Sequence, residues 1–170
     1  DVLSRHGLGR LHVHYFKGDI ANFSVDTESP TAMFHSPPRS PTLATHLADA
    51  GIPVYTIGKI SEMIEGAAIT DTKEVKNNAE CLEALGALIR EGQMNRLKQS
   101  FIIATLPDLD SLFGHNRDAL GYIDALETLD QYLPRLFRAM ENEDMLYIVS
   151  DHGNDPTAEG TSHTREYVPL

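Results

Sequence analysis

Five residues of the types that bind metal ions lie in the last third of the chain. They are Asp110, His115, Asp151, His152 and His163. A set of three imidazoles and two carboxylates favours Mn²⁺ or Zn²⁺ and leaves Mg²⁺ open. The single cysteine, Cys81, lies far from these residues in the sequence, which argues against a thiolate site. The residue types therefore predict a metal centre built from nitrogen and oxygen ligands.

Each of the two ligand-bearing segments follows a short apolar run. Residues 101–106 and 145–150 are predicted to be buried strands, and the ligands come directly after them. In open α/β sheets, ligands bind beyond the carboxyl ends of the strands. Two neighbouring strands would bring the carboxylates and imidazoles to one edge of the sheet. Such an arrangement favours a two-metal site for phosphoryl transfer.

The local spacing gives three further predictions. Asp110 and His115 are five residues apart, which favours a loop over a helix. Gly153 is predicted to allow a sharp exit from the strand at positive φ. Arg117 and Arg165 flank the ligands and are interpreted either as groups that orient the ligands or as phosphate contacts.

The composition excludes several classes of function. A net charge of −11 argues against a nucleic-acid surface, so a phosphate substrate would need metal ions or a few placed basic side chains. No apolar run approaches the roughly 20 residues that span a membrane. One cysteine excludes a disulfide framework and favours a reducing, cytoplasmic location. The chain starts without Met and stops inside an apolar run, so we expect a longer parent protein.

The amino-terminal 41 residues differ from the rest of the chain. Residues 11–16 are a candidate strand, and residues 24–41 are rich in Pro, Ser and Thr, which predicts a long loop or a crossover between domains. From Thr42 the pattern becomes regular. Thr42 is expected to cap a helix that runs through Ala50, with Gly51 as its left-handed stop, and residues 53–57 are predicted to form a buried strand.

Two longer helices are predicted, over residues 78–98 with a break near Gly92 and over residues 117–140 with a kink or split at Pro134. The second helix carries an apolar stripe of Leu126, Leu129, Leu133, Leu136, Phe137 and Met140. Helices and strands alternate with short links. This alternation predicts an α/β fold with a mostly parallel sheet and helices on both faces.

Four segments carry a resemblance to a known family. They are residues 57–61, 109–118, 150–156 and 160–169, of which the last, with its run His-Thr-Arg-Glu-Tyr-Val-Pro, is the most specific. Through these segments the chain resembles the phosphopentomutases, which belong to the alkaline phosphatase-like metalloenzymes. The resemblance implies an incomplete alkaline phosphatase-like core over residues 42–170. Residues 1–41 would be the carboxy-terminal part of an inserted α+β cap domain.

The resemblance also implies a ligand set and a reaction. Asp151 and His152 would bind one Mn²⁺, and Asp110, His115 and His163 the other. A phosphoryl group would move between C1 and C5 of ribose or deoxyribose, so the partner is a small sugar phosphate and the oligomeric state stays open. The family's nucleophilic threonine lies in a segment outside this chain. No catalytic nucleophile is therefore assigned, and these 170 residues alone are expected to be inactive.

Two alternatives stay open. Residues 24–31 are acidic where the resemblance implies arginines that hold the substrate phosphate. This difference favours another phosphatase or phosphomutase of the same superfamily. The other alternative is a non-catalytic fragment that retains the metal centre.

Overall fold

The computed structural model of the protein describes residues 2–26, 32–36, 38–64, 68–94 and 99–169. The helices are α1 (Val2–His6), α2 (Leu43–Asp49), α3 (Ile60–Met63), α4 (Asn78–Met94) and α5 (Ala119–Ala139), and a π-helical turn spans Leu109–Gly114. The strands are β1 (Arg10–Val13), β2 (Phe16–Gly18), β3 (Phe23–Val25), β4 (Ala32–His35), β5 (Val54–Ile57), β6 (Asp71–Lys73) and β7 (Phe101–Ala104). In the part of the chain that the structure describes, no helix is long and apolar enough to cross a membrane.

A parallel sheet of three strands organises the main part of the chain. Its strand order is β6-β5-β7, with Tyr55 opposite Asp71 on one side and Val54 opposite Phe101 on the other. Helices α2 and α3 contact β5, and α4 contacts both β5 and β7. The predicted α/β class is therefore confirmed as a parallel sheet flanked by helices. Strand β6 was not predicted from the sequence.

The core is centred on β5. The side chains of Val54, Thr56 and Ile57 are fully buried. The hydroxyl of Thr56 forms a 2.9 Å hydrogen bond with that of Thr72 on β6, so its polar group is satisfied inside the core. Helix α4 covers this region with its buried residue Cys81. The buried strand predicted over residues 53–57 is confirmed.

Helix α2 begins and ends as the sequence predicts. The Thr42 hydroxyl accepts from the backbone N–H of Thr45, and the Thr45 hydroxyl accepts in return from the N–H of Thr42, which completes a capping box. Gly51 follows the helix with φ of 76°. Both signals are local, because each depends only on residues within one turn of the helix end.

The first 41 residues contain more strand than predicted. Strand β1 pairs with β4, and β2 pairs with β3, each in an antiparallel ladder. The single strand expected over residues 11–16 is wrong, because it divides into β1 and β2 around His14 and Tyr15. The loop expected over residues 24–41 is wrong where β4 forms. Residues 27–31 and 37 of the expected loop lie outside the described residues. Strand β4 forms because its backbone pairs with that of β1. A composition typical of loops does not reveal this pairing.

The two long helices are more continuous than predicted. Helix α4 passes Gly92 without a break and runs to Met94, and residues 95–98 of the predicted helix lie outside the described ranges. Helix α5 runs through Pro134. On its apolar stripe Leu136 is buried, whereas Phe137 remains 55% exposed. The helical period therefore identified the apolar face of α5 but overestimated how much of it is covered.

The strand predicted over Met145–Ser150 is wrong. These residues adopt no regular structure, and Met145, Tyr147 and Val149 are exposed. An apolar run becomes a strand only when a neighbouring strand pairs with its backbone. Among the described residues, no ladder includes this segment. The second ligand segment is therefore positioned by contacts other than a sheet.

The buried Cys81 thiol gives a testable consequence of this packing. Burial, together with the negative charge of Asp108, raises the pKa of Cys81 to about 11. We expect the folded chain to react with a thiol reagent at pH 8 roughly 100-fold more slowly than the urea-unfolded chain. Because the folded pKa is the higher one, the stabilising contribution of this group is complete below about pH 8.5 and is lost as the pH rises towards 11. Equal rates in the folded and unfolded chains, measured against a Cys81→Ala blank, would contradict this packing.

Candidate metal centre

A π-helical turn after β7 places the first two candidate ligands side by side. In this turn the N–H of His115 donates to the carbonyl of Asp110, five residues earlier, at 3.0 Å. This spacing puts the two side chains on the same side of the turn, and His115 Nε2 lies 3.3 Å from Asp110 Oδ2. The expectation of a loop is therefore wrong. A π-helical turn is wider than an α-helical one and brings residues five apart to the same side. Such turns are frequent at functional sites.

The turn is fixed at both of its ends. Before it, the Asp108 carboxylate accepts from the N–H of Asn78 at 2.9 Å, and the Asn78 side-chain oxygen accepts from the N–H of Asp108 at 3.0 Å. After it, Asp118 caps α5 by accepting from the N–H of Gly121 at 2.9 Å. These contacts join the turn to the starts of α4 and α5. The ligands are thus held by two helix ends that also belong to the core.

The second ligand segment is closed by a single bridge between Gly153 and Thr164. The N–H of Thr164 donates to the carbonyl of Gly153 at 3.1 Å, and the N–H of Asp155 donates to the Thr164 hydroxyl at 2.6 Å. Gly153 is not among the residues at positive φ, so that prediction is wrong. A glycine is needed there because a Cβ would lie 2.9 Å from the carbonyl oxygen of Thr164. The bridge holds His163 beside the turn.

Asp155, inside this loop, is held as a carboxylate. The side chain and backbone of Thr157 donate to it at 2.7 and 2.8 Å, and these hydrogen bonds, together with the charge of Arg117, hold its pKa below the ordinary range. The negative charge therefore persists at neutral pH.

Three of the predicted residues converge on one point. His163 Nε2 lies 3.4 Å from Asp110 Oδ1 and 3.2 Å from His115 Nε2, and His115 Nε2 lies 3.3 Å from Asp110 Oδ2. Ligand atoms about 2.1 Å from a tetrahedral ion are about 3.4 Å apart. Each observed separation is close to this value, and the two histidines approach different oxygens of the Asp110 carboxylate. The donor set and its spacing therefore fit a divalent cation.

The hydrogen bonds around two of the rings orient their lone pairs. Nδ1 of His115 lies 2.5 Å from the carbonyl of Thr161, and Nδ1 of His152 lies 3.1 Å from that of Gly153. A carbonyl only accepts, so Nδ1 is the donor in both rings, and Nε2 carries the lone pair in the neutral imidazole. For His115, this lone pair faces the convergence point. Backbone carbonyls commonly orient metal-binding imidazoles in this way.

His152 lies next to this point, and Asp151 lies beside His152 on the solvent side. The His152 ring stacks on that of His163 with 3.5 Å between centroids and 13° between planes. Asp110, His152 and His163 each place one ligand atom within 4.8 Å of the others, which forms a candidate metal-binding group. Asp151 is 80% exposed and lies 3.6 Å from His152 Nε2. The structure thus brings four of the five predicted residues together and leaves Asp151 at the solvent edge.

Asn154 is a site residue that the sequence reasoning missed. It is buried, and its side-chain Nδ2 donates to Asp110 Oδ1 at 2.6 Å. Its side-chain oxygen accepts from Arg117 Nη1 at 2.8 Å. The available signal was an amide next to a candidate ligand pair in the run Asp-His-Gly-Asn, since buried amides need partners. Arg117 lies among backbone carbonyls, whereas Arg165 is exposed.

The carboxylate–imidazole cluster lies beyond the carboxyl end of β7, where open α/β sheets bind their ligands. A family model described as the metalloenzyme superfamily matches residues 41–170. The chain therefore belongs to the metalloenzyme superfamily. The superfamily and the cluster together fit a metal-dependent phosphotransferase or phosphatase.

Gly114 provides a test of how closely the two segments approach. A Cβ at this position would lie 2.6 Å from Asn154 Cγ and 3.0 Å from the carbonyl of Leu109, so the segments would have to separate. We expect Gly114→Ala to lower the free energy of unfolding by about 1–3 kcal/mol in urea denaturation.

Gly92→Ala is the matched control, because a Cβ there meets nothing within 4 Å and the position is helical. We expect this change to stabilise the chain by about 0.5–1 kcal/mol. A Gly114→Ala chain as stable as the wild type would show that the turn and the loop are not in close contact.

Proposed function

We propose that this chain is the metal-binding part of a phosphopentomutase-like phosphotransferase, which interconverts the 1- and 5-phosphates of ribose or deoxyribose. The observation that carries the proposal is the convergence of Asp110, His115 and His163 within 3.2–3.4 Å. Membership of the metalloenzyme superfamily supports the class of reaction. The run His-Thr-Arg-Glu-Tyr-Val-Pro from His163 supports the particular family.

In this proposal the five predicted residues hold two Mn²⁺ ions. Asp110, His115 and His163 bind one ion, and Asp151 and His152 contribute to the other. When bound, such ions polarise a phosphoryl group and neutralise the charge that develops during its transfer. In a chain with a net charge of −11, this neutralisation is what allows a sugar phosphate to approach.

The proposal includes a division of the chain and a location. Residues 1–41 would belong to a cap that contacts the sugar phosphate, and residues 42–170 to the core that holds the metal ions. The parent protein would act in the reducing cytoplasm, in accord with the single, buried Cys81.

A phosphatase of the same superfamily is the second candidate, and one feature of the cap favours it. Asp26 lies beside Lys17, with Nζ 3.1 Å from Oδ1, so this cation is already engaged by a carboxylate of the chain. The neighbouring residues 27–31 add no basic group in the sequence. A segment without a basic group of its own would hold the phosphate of a pentose less firmly.

Metal binding is tested on the 170-residue chain itself. We expect calorimetric titration with MnCl₂ to detect binding and His163→Ala to weaken the affinity at least about 100-fold, because it removes a ligand that contacts both Asp110 and His115. His46→Ala is the control: His46 is exposed on α2 and should leave the affinity unchanged. Equal affinity in the wild type and His163→Ala would contradict the proposed centre.

The reaction is tested on the full coding product, because the resemblance places the nucleophilic threonine outside these residues. We expect Mn²⁺-dependent conversion of ribose 1-phosphate to ribose 5-phosphate, abolished by a chelator. Release of inorganic phosphate without this conversion would favour the phosphatase. Metal binding with neither activity would favour a non-catalytic module.

A further inference from the structure

The guanidinium group of Arg117 occupies the junction between the π-helical turn and the loop that carries His163. Its acceptors are the backbone carbonyls of Gly114, Asp155, Gly160 and Ser162 and the side-chain oxygen of Asn154. The distances from Nη1 to Gly114 and Asp155 are 3.1 and 2.8 Å, and that from Nη2 to Ser162 is 2.6 Å. All three nitrogens are therefore engaged by the protein itself.

These contacts hold the two ligand segments against each other. The Gly114 carbonyl belongs to the turn that carries Asp110 and His115, whereas the Ser162 carbonyl is adjacent to His163 in the loop. One planar cation thus joins backbone positions from both segments. Without it, several carbonyls of the two segments would face one another with no donor between them.

The contact with Asn154 reaches a candidate ligand directly. Arg117 Nη1 donates to Asn154 Oδ1, so the Asn154 oxygen must face the arginine and Nδ2 must face Asp110. In the flipped orientation, the amide oxygen would face the Asp110 carboxylate and the NH₂ group would face the guanidinium. Acceptor would then oppose acceptor, and donor would oppose donor. Arg117 therefore selects the amide orientation that donates to Asp110 Oδ1.

The backbone conformation of Arg117 also indicates that the surroundings hold this residue in place. Among the described residues other than glycine, Arg117 alone has positive φ, at 57°. Side chains with a Cβ rarely adopt this region unless the surroundings require it. Here the left-handed conformation is accompanied by a side chain whose three nitrogens are all hydrogen bonded.

We propose that Arg117 is a positioning residue of the metal centre, which orients Asp110 through Asn154 and fixes the loop that carries His163. This inference rests on the proposed metal-binding function. It also implies that Arg117 does not bind phosphate, since a phosphate would have to displace the backbone carbonyls from the guanidinium group. Lysine cannot replace it, because one ammonium group lacks the planar arrangement of donors that reaches these acceptors.

The test compares Arg117→Lys with Arg135→Lys, which makes the same change on the exposed face of α5, where Arg135 Nη1 lies 3.6 Å from Glu83. Each chain is titrated with MnCl₂ by calorimetry and with CoCl₂ by visible absorption. We expect Arg117→Lys to weaken both affinities about 10- to 100-fold and to alter the cobalt spectrum. Arg135→Lys should match the wild type within twofold. Unchanged affinity and spectrum in Arg117→Lys would overturn the proposal.

Amide hydrogen exchange in the metal-free chains separates this inference from the proposed function. If the wild type binds neither ion, the metal centre itself is refuted. Whatever the metal result, the exchange at Asp155 and Thr164 decides whether Arg117 fixes the loop that carries His163: about 10-fold faster exchange in Arg117→Lys supports this part of the inference, and wild-type rates overturn it. If Arg117→Lys does not fold, the guanidinium protons of the wild type are measured by NMR. Slow exchange supports the role, and freely exchanging protons refute it.

Discussion

The carboxylate of Asp110 connects parts of the chain that are distant in sequence. Its Oδ1 accepts from Asn154, 44 residues later, at 2.6 Å and lies 3.4 Å from His163, while Oδ2 faces His115 at 3.3 Å. A hydrogen bond to a charged group contributes about 1.5–3 kcal/mol, which is large for segments with little buried apolar surface. The same convergence gathers lone pairs and negative charge at one point. The geometry of the loop and the binding of a cation are therefore expected to be thermodynamically coupled.

Some features of the fold with local causes could be predicted from the sequence, and several with distant causes could not. The capping box of α2 depends on Thr42 and Thr45 alone, and it is present as expected. The strand predicted over Met145–Ser150 depends on a neighbouring strand, which sequence composition does not report, and it is absent. The parallel sheet was predictable because alternating helices and strands with short links leave few other arrangements.

The candidate site shows the same division. The ligand types and their position after the strand β7 predicted that Asp110 and His115 lie together. The turn between them is π-helical. The contribution of Asn154 was not predictable from spacing, because its two partners are 37 and 44 residues away. Arg117 could be recognised as a neighbour of the ligands, but its choice of backbone carbonyls over phosphate depends on the folded loop. Asp151 lies 3.6 Å from His152 Nε2, and its side chain is 80% exposed.

In the π-helical turn at Leu109–Gly114, the number of residues matters more than their types for the position of His115 relative to Asp110. Each residue of an α-helix advances the chain by roughly 100° about the axis, so a deletion of one residue would rotate His115 away from Asp110 by a similar angle. Substitution of Ser111 or Leu112, both exposed, leaves that angle intact. Insertions and deletions in this segment should therefore be rare among proteins that keep the cluster, while its solvent-facing side chains are free to vary.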